Sequence, residues 1–184
     1  MKKVGLILAC LLLLTGCSET EIQRGMELRG QLLRGTACTF DAAITADYGQ
    51  ALYQFRMACQ ADSQGNMDFT VTHPETISGI TGHISHGQGS LTFSDTALDF
   101  PLMADDQLSP VSAPWVLLKT LRSGSLTAAC QEEEWLHLSL DDDYEEDALN
   151  LDVWLDGKNV PRRGEILYDG RRILSLDVEN FQIQ

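Results

Sequence analysis

Basic side chains are scarce in this sequence. Its 184 residues include 13 lysines and arginines against 27 aspartates and glutamates, which gives a formal net charge of −14 at neutral pH. A chain this acidic, with no basic patch to offset the field, repels the phosphates of nucleic acids and anionic lipid head groups. We therefore exclude nucleic-acid binding, and any attachment to a membrane has to come from something other than basic residues.

Motifs for catalysis and metal binding are also missing. No Gly-x-Ser-x-Gly elbow marks a nucleophilic serine, and no histidine has an obvious acidic partner in the sequence. His83 and His86 are three residues apart, a spacing that sends two side chains to opposite faces of a strand. Residues 141–147 hold six carboxylates but lack the alternating ligands and the central glycine of a calcium-binding loop. These absences predict that the chain is not an enzyme, needs no cofactor and has no metal site.

A long apolar run occurs only at the N-terminus. Lys2 and Lys3 precede an apolar stretch from Val4 to Leu14, which is interrupted by Gly5 and followed by two small residues. This order is typical of a secretion signal, and the run is too short to span a bilayer permanently.

The end of this run, Leu14-Thr15-Gly16-Cys17, resembles the lipobox of bacterial lipoproteins. The alternative to a lipobox is an ordinary signal peptide, or an apolar helix that contains a cysteine by chance. The resemblance implies cleavage before Cys17, palmitate-type acylation of its thiol, and a protein that folds outside the cytoplasm and is anchored to the cell membrane by its lipid. Ser18 after the cysteine resembles the outer-membrane sorting rule, should the cell have two membranes. We expect residues 1–16 to be the signal peptide and residues 17–184 to form a single domain.

The chain after Ser18 predicts a helix followed by a β-hairpin. A 3.6-residue apolar stripe indicates the helix, with a solvated tether as the alternative because glycine disfavours helix; the stripe consists of Ile22, Met26, Leu28, Leu32 and Leu33. In the hairpin, a two-residue loop at Tyr48-Gly49 pairs positions whose numbers sum to 97. This register places Asp41 opposite Arg56 and Cys38 opposite Cys59, which predicts a Cys38–Cys59 disulfide; a buried pair of free thiols is the alternative.

Short strands fill most of the remaining chain. They alternate from Met67 to Phe100 and again from Leu126 to Ile183, separated by glycine-rich turns. Between these two blocks, a Ser-Pro-led segment from Trp115 to Leu121 predicts a short helix so apolar that the sheet must cover it, either as a core helix or as a moving lid. The Asp169-Gly170 turn allows two registers, a two-residue loop or a longer one that pairs Ile166 with Leu174.

Several stretches resemble the LolA/LolB superfamily of periplasmic lipoprotein carriers and receptors. The similar segments are Pro74–Ile80, Asp152–Asp156, Val160–Ile166, Asp169–Arg172 and Val178–Phe181. The resemblance implies an α+β, mostly β fold: an antiparallel sheet curved into an unclosed half-barrel, whose concave face is covered by an N-terminal helix and a short apolar helix and holds acyl chains. It carries no catalytic residue.

Two functions follow. In the first, the anchored domain binds a lipid or another amphiphile, and its candidate wall residues are Phe40, Ala42, Phe55, Met57, Phe69, Trp115 and Leu118. In the second, the protein is a structural or regulatory surface lipoprotein that acts through a protein partner, and the same side chains only fill the core.

Overall fold

A computed structural model describes residues 19–94, 96–104, 107–142 and 149–184. The predicted signal peptide, Cys17 and most of the acidic run at 141–147 lie outside these residues.

Eleven strands form one antiparallel sheet. They are β1 (Ala37–Asp47), β2 (Leu52–Asp62), β3 (Met67–His73), β4 (Thr81–Ser85), β5 (Gln88–Phe93), β6 (Thr96–Pro101), β9 (Ser125–Glu132), β10 (Trp135–Asp141), β11 (Asn150–Leu155), β12 (Pro161–Tyr168) and β13 (Arg171–Ile183), while β7 (Met103–Ala104) and β8 (Gln107–Leu108) form a separate small hairpin. The order in the sheet is β6-β5-β4-β3-β2-β1-β13-β12-β11-β10-β9, so that the last strand lies beside the first. The two end strands, β6 and β9, do not pair with each other. The sheet is therefore an unclosed half-barrel, as predicted.

Two helices pack on the same face of this sheet. Helix α1 (Glu19–Arg34) lies on β9, and helix α2 (Ala113–Ser123) contacts α1, β10, β12 and β13. Single-turn 3-10 segments occur at Glu75–Ile77 and Pro110–Ser112. Both helices share one hydrophobic core with alternate residues of the strands, and their contributions to it include Leu28, Leu32, Val116, Leu117, Leu118 and Leu121. The strand residues between these core-facing positions are mostly polar and lie on the other face of the sheet.

Helix α1 forms as predicted, but only part of its apolar stripe is buried. Leu28 and Leu32 are buried, whereas Ile22, Met26 and Leu33 keep 43% to 56% of their surface exposed. Gly25 lies where a β-carbon would come within 3.0 Å of Leu138 on β10, so this glycine lets the helix approach the sheet closely. Among the described helices, none has both the length and the apolar composition needed to cross a membrane.

The predicted register of the β1–β2 hairpin is wrong by two residues. The connection is a four-residue loop in which Tyr48 N–H donates to the carbonyl oxygen of Ala51, and Ala43 rather than Asp41 lies opposite Arg56. Because the error is an even number, every side chain still points to the predicted face. Within this loop, Tyr48 packs against the core.

The new register removes the geometric basis of the predicted Cys38–Cys59 disulfide. Cys38 lies opposite Ala61 and Cys59 lies opposite Phe40, and both are buried free thiols. Burial raises the pKa of Cys38 to about 12, and burial with the nearby carboxylate of Asp41 raises the pKa of Cys59 as well. Both thiols are therefore protonated at neutral pH and poorly reactive toward oxidation.

The last hairpin combines the two registers that the sequence allows. Tyr168 pairs with Arg171 across a two-residue turn at Asp169-Gly170, and a bulge beyond Leu167 then shifts the pairing so that Ile166 faces Leu174. The bulge inserts one residue into β13. The hairpin can therefore have the two-residue turn that Asp-Gly favours and still pair the buried Ile166 with the buried Leu174.

We expect Gly82→Ala to lower the free energy of unfolding by about 1 to 3 kcal/mol. The ring of Phe69 lies directly over Gly82, and an added β-carbon would come within 2.6 Å of Phe69 Cε1. Chemical denaturation of the full-length chain measures this change. Gly157→Ala is the matched control, since no atom lies within 4 Å of its added β-carbon. Equal unfolding midpoints for the two variants would contradict the described packing.

Candidate functional site

The predicted wall residues belong to the hydrophobic core of the sheet and its helices or pack against it. Six of the seven are at most 9% exposed; these are Phe40, Ala42, Phe55, Met57, Phe69 and Leu118. The seventh, Trp115, is half-buried, and its indole N–H donates to the carbonyl oxygen of Gly65 at 3.0 Å. These six side chains are therefore packed inside the protein and are not accessible to a ligand at the surface.

Helix α2 is fastened to the sheet on two sides and so is a fixed cover. Arg122 donates to the carbonyl oxygens of Asp62, at 3.1 Å, and Ser63 in the β2–β3 turn. On the other side, the carboxylate of Asp142 accepts from Lys119 Nζ at 2.6 Å and from Thr120 Oγ1 at 2.9 Å. These contacts favour the core helix over the moving lid.

Arg29 of helix α1 fixes the C-terminal end of α2. Its Nε donates to the carbonyl oxygen of Leu121 at 2.9 Å and its Nη2 to that of Gly124 at 2.5 Å. Leu121 lies in the last turn of α2, where helix carbonyls lack intrahelical partners, and Gly124 is the residue that follows the helix. A cation at this end also complements the helix dipole. Burial lowers the pKa of Arg29 from its usual value, but the guanidinium remains charged at neutral pH.

An open groove lies where the cover provided by α2 ends. It runs between the β1–β2 loop, the end of β6 and the segment that leads from β8 into α2, and its volume is about 740 Å³. Its walls are mainly apolar: Tyr48, Ala51, Tyr53, Phe100, Pro101, Leu108 and Pro110, with Gln50 and Ser109 as the polar members.

The groove belongs to the same face of the sheet as the core. Tyr53 continues the alternation of Phe55 and Met57 along β2, and Phe100 lies opposite Gly89 on β5. Gly89 has no side chain to keep the ring of Phe100 away, so that a β-carbon there would be 2.6 Å from Phe100 Cε1. The apolar face therefore extends past the helices and becomes accessible at this end.

Large apolar side chains remain exposed on the core-facing side of the sheet. Leu98 is 64% exposed, Phe93 52% and Tyr53 53%. All three occupy core-facing positions of their strands, since Leu98 pairs with Leu91 and Tyr53 pairs with Ala46. Of these three, Tyr53 lines the groove. Exposed apolar surface of this kind is typical of a binding surface.

Tyr48 holds the two sides of the groove together. Its hydroxyl donates to the carbonyl oxygen of Leu108, and its ring centroid lies 6.2 Å from that of Tyr53. Burial, with a smaller contribution from Tyr53, raises the pKa of Tyr48 to about 12, so the hydroxyl remains a neutral donor at physiological pH. The β1–β2 loop is thereby joined to the segment before α2.

Sequence reasoning misses the groove because alternation shows which face a residue occupies but not whether a helix covers it. The register predicted from the sequence puts Tyr48 in a two-residue turn and Tyr53 opposite Ile44, in the core. The signal that could locate the site is the density of aromatic and proline residues around two loops, at Tyr48–Tyr53 and Phe100–Pro110.

Comparison with known proteins finds similarity only among solved structures, since no protein-family model and no curated protein matches the chain. An uncharacterized conserved protein from Thermus thermophilus is 13% identical, with 86% of each chain covered and a TM-score of 0.48. A LolA superfamily protein from Nitrosomonas europaea is 10% identical, with 87% of this chain and 93% of that chain covered and a TM-score of 0.48. The lipoprotein LppX from Mycobacterium tuberculosis is 10% identical, with 88% and 93% covered and a TM-score of 0.42. At such identities and scores, the function of this chain has to be argued from its own residues.

Proposed function

We propose that this protein is a lipid-anchored extracytoplasmic protein that binds the acyl chain of a lipid or similar amphiphile in the groove between the β1–β2 loop and the segment before α2. The observation that carries the proposal is the apolar groove itself, which continues the core face of the half-barrel into solvent. Its volume of about 740 Å³ falls within the roughly 300 to 1,000 Å³ that small-molecule sites occupy.

The polar groups at the groove define how an amphiphile would lie. The side chains of Gln50 and Ser109 and the hydroxyl of Tyr53 are polar groups of the lining, whereas Phe100, Leu108 and the faces of the tyrosine rings offer apolar contact. The acyl chain therefore lies against Tyr53 and Phe100, and the head group stays near the loops. Each methylene contributes only about 0.8 kcal/mol in such contacts, so we expect broad selectivity for chain length.

Membrane attachment would come through Cys17. This residue is two positions before Glu19, the first described residue of α1, so at most about 7 Å of chain separates the two. The exposed Ile22 and Met26 on α1 suit a helix that is held this close to a bilayer. The net charge of −14 supplies no attraction for anionic head groups, so the covalent lipid has to provide the binding energy.

We expect Tyr53→Asp to weaken binding of a fluorescent fatty-acid probe by at least about tenfold, because it places a charge in an apolar site. Tyr53 is already half exposed, so the variant should keep its fold. Gln54→Asp is the matched control, since it adds the same charge to the neighbouring residue on the opposite face of β2.

The probe titration has two results that would contradict the proposal. One is a wild-type chain that binds no probe. The other is an equal affinity in the Tyr53 and Gln54 variants. Either would favour the second function, a surface lipoprotein that acts through a protein partner while its apolar residues only fill the core.

We expect Cys17→Ala to abolish incorporation of a labelled fatty acid and to release the protein from membranes washed with alkaline carbonate. Cys10→Ala, which changes a cysteine inside the predicted signal peptide, is the control and should leave both properties intact. A Cys17 variant that stays in the washed membrane fraction would show that the attachment has another origin.

A further inference from the structure

A cluster of sulfur, nitrogen and oxygen donors lies on the face of the sheet opposite the core, far along the sheet from the groove. The β9–β10 hairpin turns at Glu133-Glu134, and its register pairs Cys130 with His137. The next strand places Trp154 opposite His137. Glu132 lies two residues from Cys130 on the same strand and therefore on the same face.

The three donor atoms are close enough to share one ion. Cys130 Sγ lies 3.8 Å from His137 Nδ1 and 3.9 Å from Glu132 Oε1, and Nδ1 and Oε1 are 2.8 Å apart. An ion at ordinary zinc distances, about 2.3 Å from sulfur and about 2.0 Å from nitrogen and oxygen, fits these separations with bond angles of roughly 90° to 130°. The outer side of such an ion stays open, since Cys130 and Glu132 are both exposed.

Neighbouring side chains hold the histidine in the orientation that metal binding needs. The His137 ring is stacked on the indole of Trp154 with centroids 4.5 Å apart and an interplanar angle of 2°. Its other nitrogen, Nε2, is shielded from solvent and lies 3.1 Å from Asp152 Oδ1, although the alignment falls short of a regular hydrogen bond. A carboxylate behind the non-ligating nitrogen is the usual support of a metal-bound histidine.

The two carboxylates are fixed in turn. Asp152 Oδ1 accepts from Ser139 Oγ at 2.6 Å, and Glu132 Oε2 accepts from Trp154 Nε1 at 2.9 Å. The second contact leaves Glu132 Oε1 facing the cluster.

We propose that Cys130, Glu132 and His137 bind a divalent ion of the zinc class, with Asp152 as the positioning residue behind His137. A thiolate, an imidazole and one carboxylate are donors that favour zinc over calcium or magnesium. On binding, the Cys130 thiol loses its proton to solvent and the sulfur forms the bond to the metal. Affinity therefore falls as the pH is lowered.

A second histidine–carboxylate pair, beside which the described residues place no sulfur donor, serves as a control for this cluster. On the same outward face, His83 Nδ1 of β4 lies 2.7 Å from Asp68 Oδ1 of β3, which makes a second histidine–carboxylate pair. No sulfur donor is found beside this pair among the described residues, where the only cluster of three potential ligands is that of Cys130. His83→Gln is therefore the matched control for His137→Gln.

The test is a titration of the reduced full-length chain with Co²⁺, followed by competition with Zn²⁺. We expect one Co²⁺ per chain, a thiolate-to-cobalt absorption band, and quenching of the fluorescence of Trp154, which lies against the ligating ring. Cys130→Ser should remove the band, His137→Gln should weaken binding by at least about tenfold, and Asp152→Asn should weaken it by about 10- to 100-fold. Wild-type behaviour is expected for His83→Gln.

Circular dichroism of each variant verifies that the fold is retained, and Trp154→Phe, which keeps the three ligands, should lose the quenching but keep the absorption band. Absence of the thiolate band in the wild-type chain would overturn the proposal. An affinity that is unchanged by both Cys130→Ser and His137→Gln would overturn it as well.

Discussion

The apolar face of the curved sheet is larger than two helices can cover, and most of the structure depends on this imbalance. Helix α1 covers the region of β9, and α2 covers the middle of the sheet, where the fully buried side chains are concentrated. Toward β5 and β6 no helix of the described chain lies on the face, and Phe93 and Leu98 stay exposed. Burial contributes about 25 cal/mol for each Å² of apolar surface removed from water, so an uncovered apolar end favours association with an apolar ligand.

Polar side-chain contacts hold α2 in place on the apolar face of the sheet, beside the part of that face that no described helix covers. Arg122 fastens the helix to the β2–β3 turn, Asp142 fastens it from the other side, and Arg29 satisfies the carbonyls at its C-terminal end. A helix held by side chains at both flanks has little freedom to slide over the groove. The groove thus depends on a rigid cover and a fixed loop, with Tyr48 as the link between them.

Alternation with period 2 predicted the faces of the residues in β1, β2, β3 and β11, because this pattern survives errors in register. The β1–β2 pairing shows why: a shift of two residues changed every partner but no face. The apolar stripe and the Ser-Pro-led apolar segment predicted the two helices, and the family resemblance implied the half-barrel. The sequence could not predict which core-facing residues are buried or which residues from different strands come together, because both depend on the tertiary structure. Tyr53 continues the same alternation as Phe55, yet Phe55 is buried and Tyr53 is exposed. Cys130, Glu132 and His137 come together only because of the register of one hairpin, whereas the spacing of histidines along the chain had indicated no site.

The central claim, that an acyl chain lies in the groove and not within the core, is tested most directly by photo-crosslinking with a diazirine-bearing fatty acid and mapping of the labelled peptides. The account predicts saturable labelling, competed by unlabelled fatty acid, in the segments from Tyr48 to Tyr53 and from Phe100 to Pro110. Saturable labelling confined to other surfaces, such as the outward face of β9 to β11, or no saturable labelling at all, would contradict it.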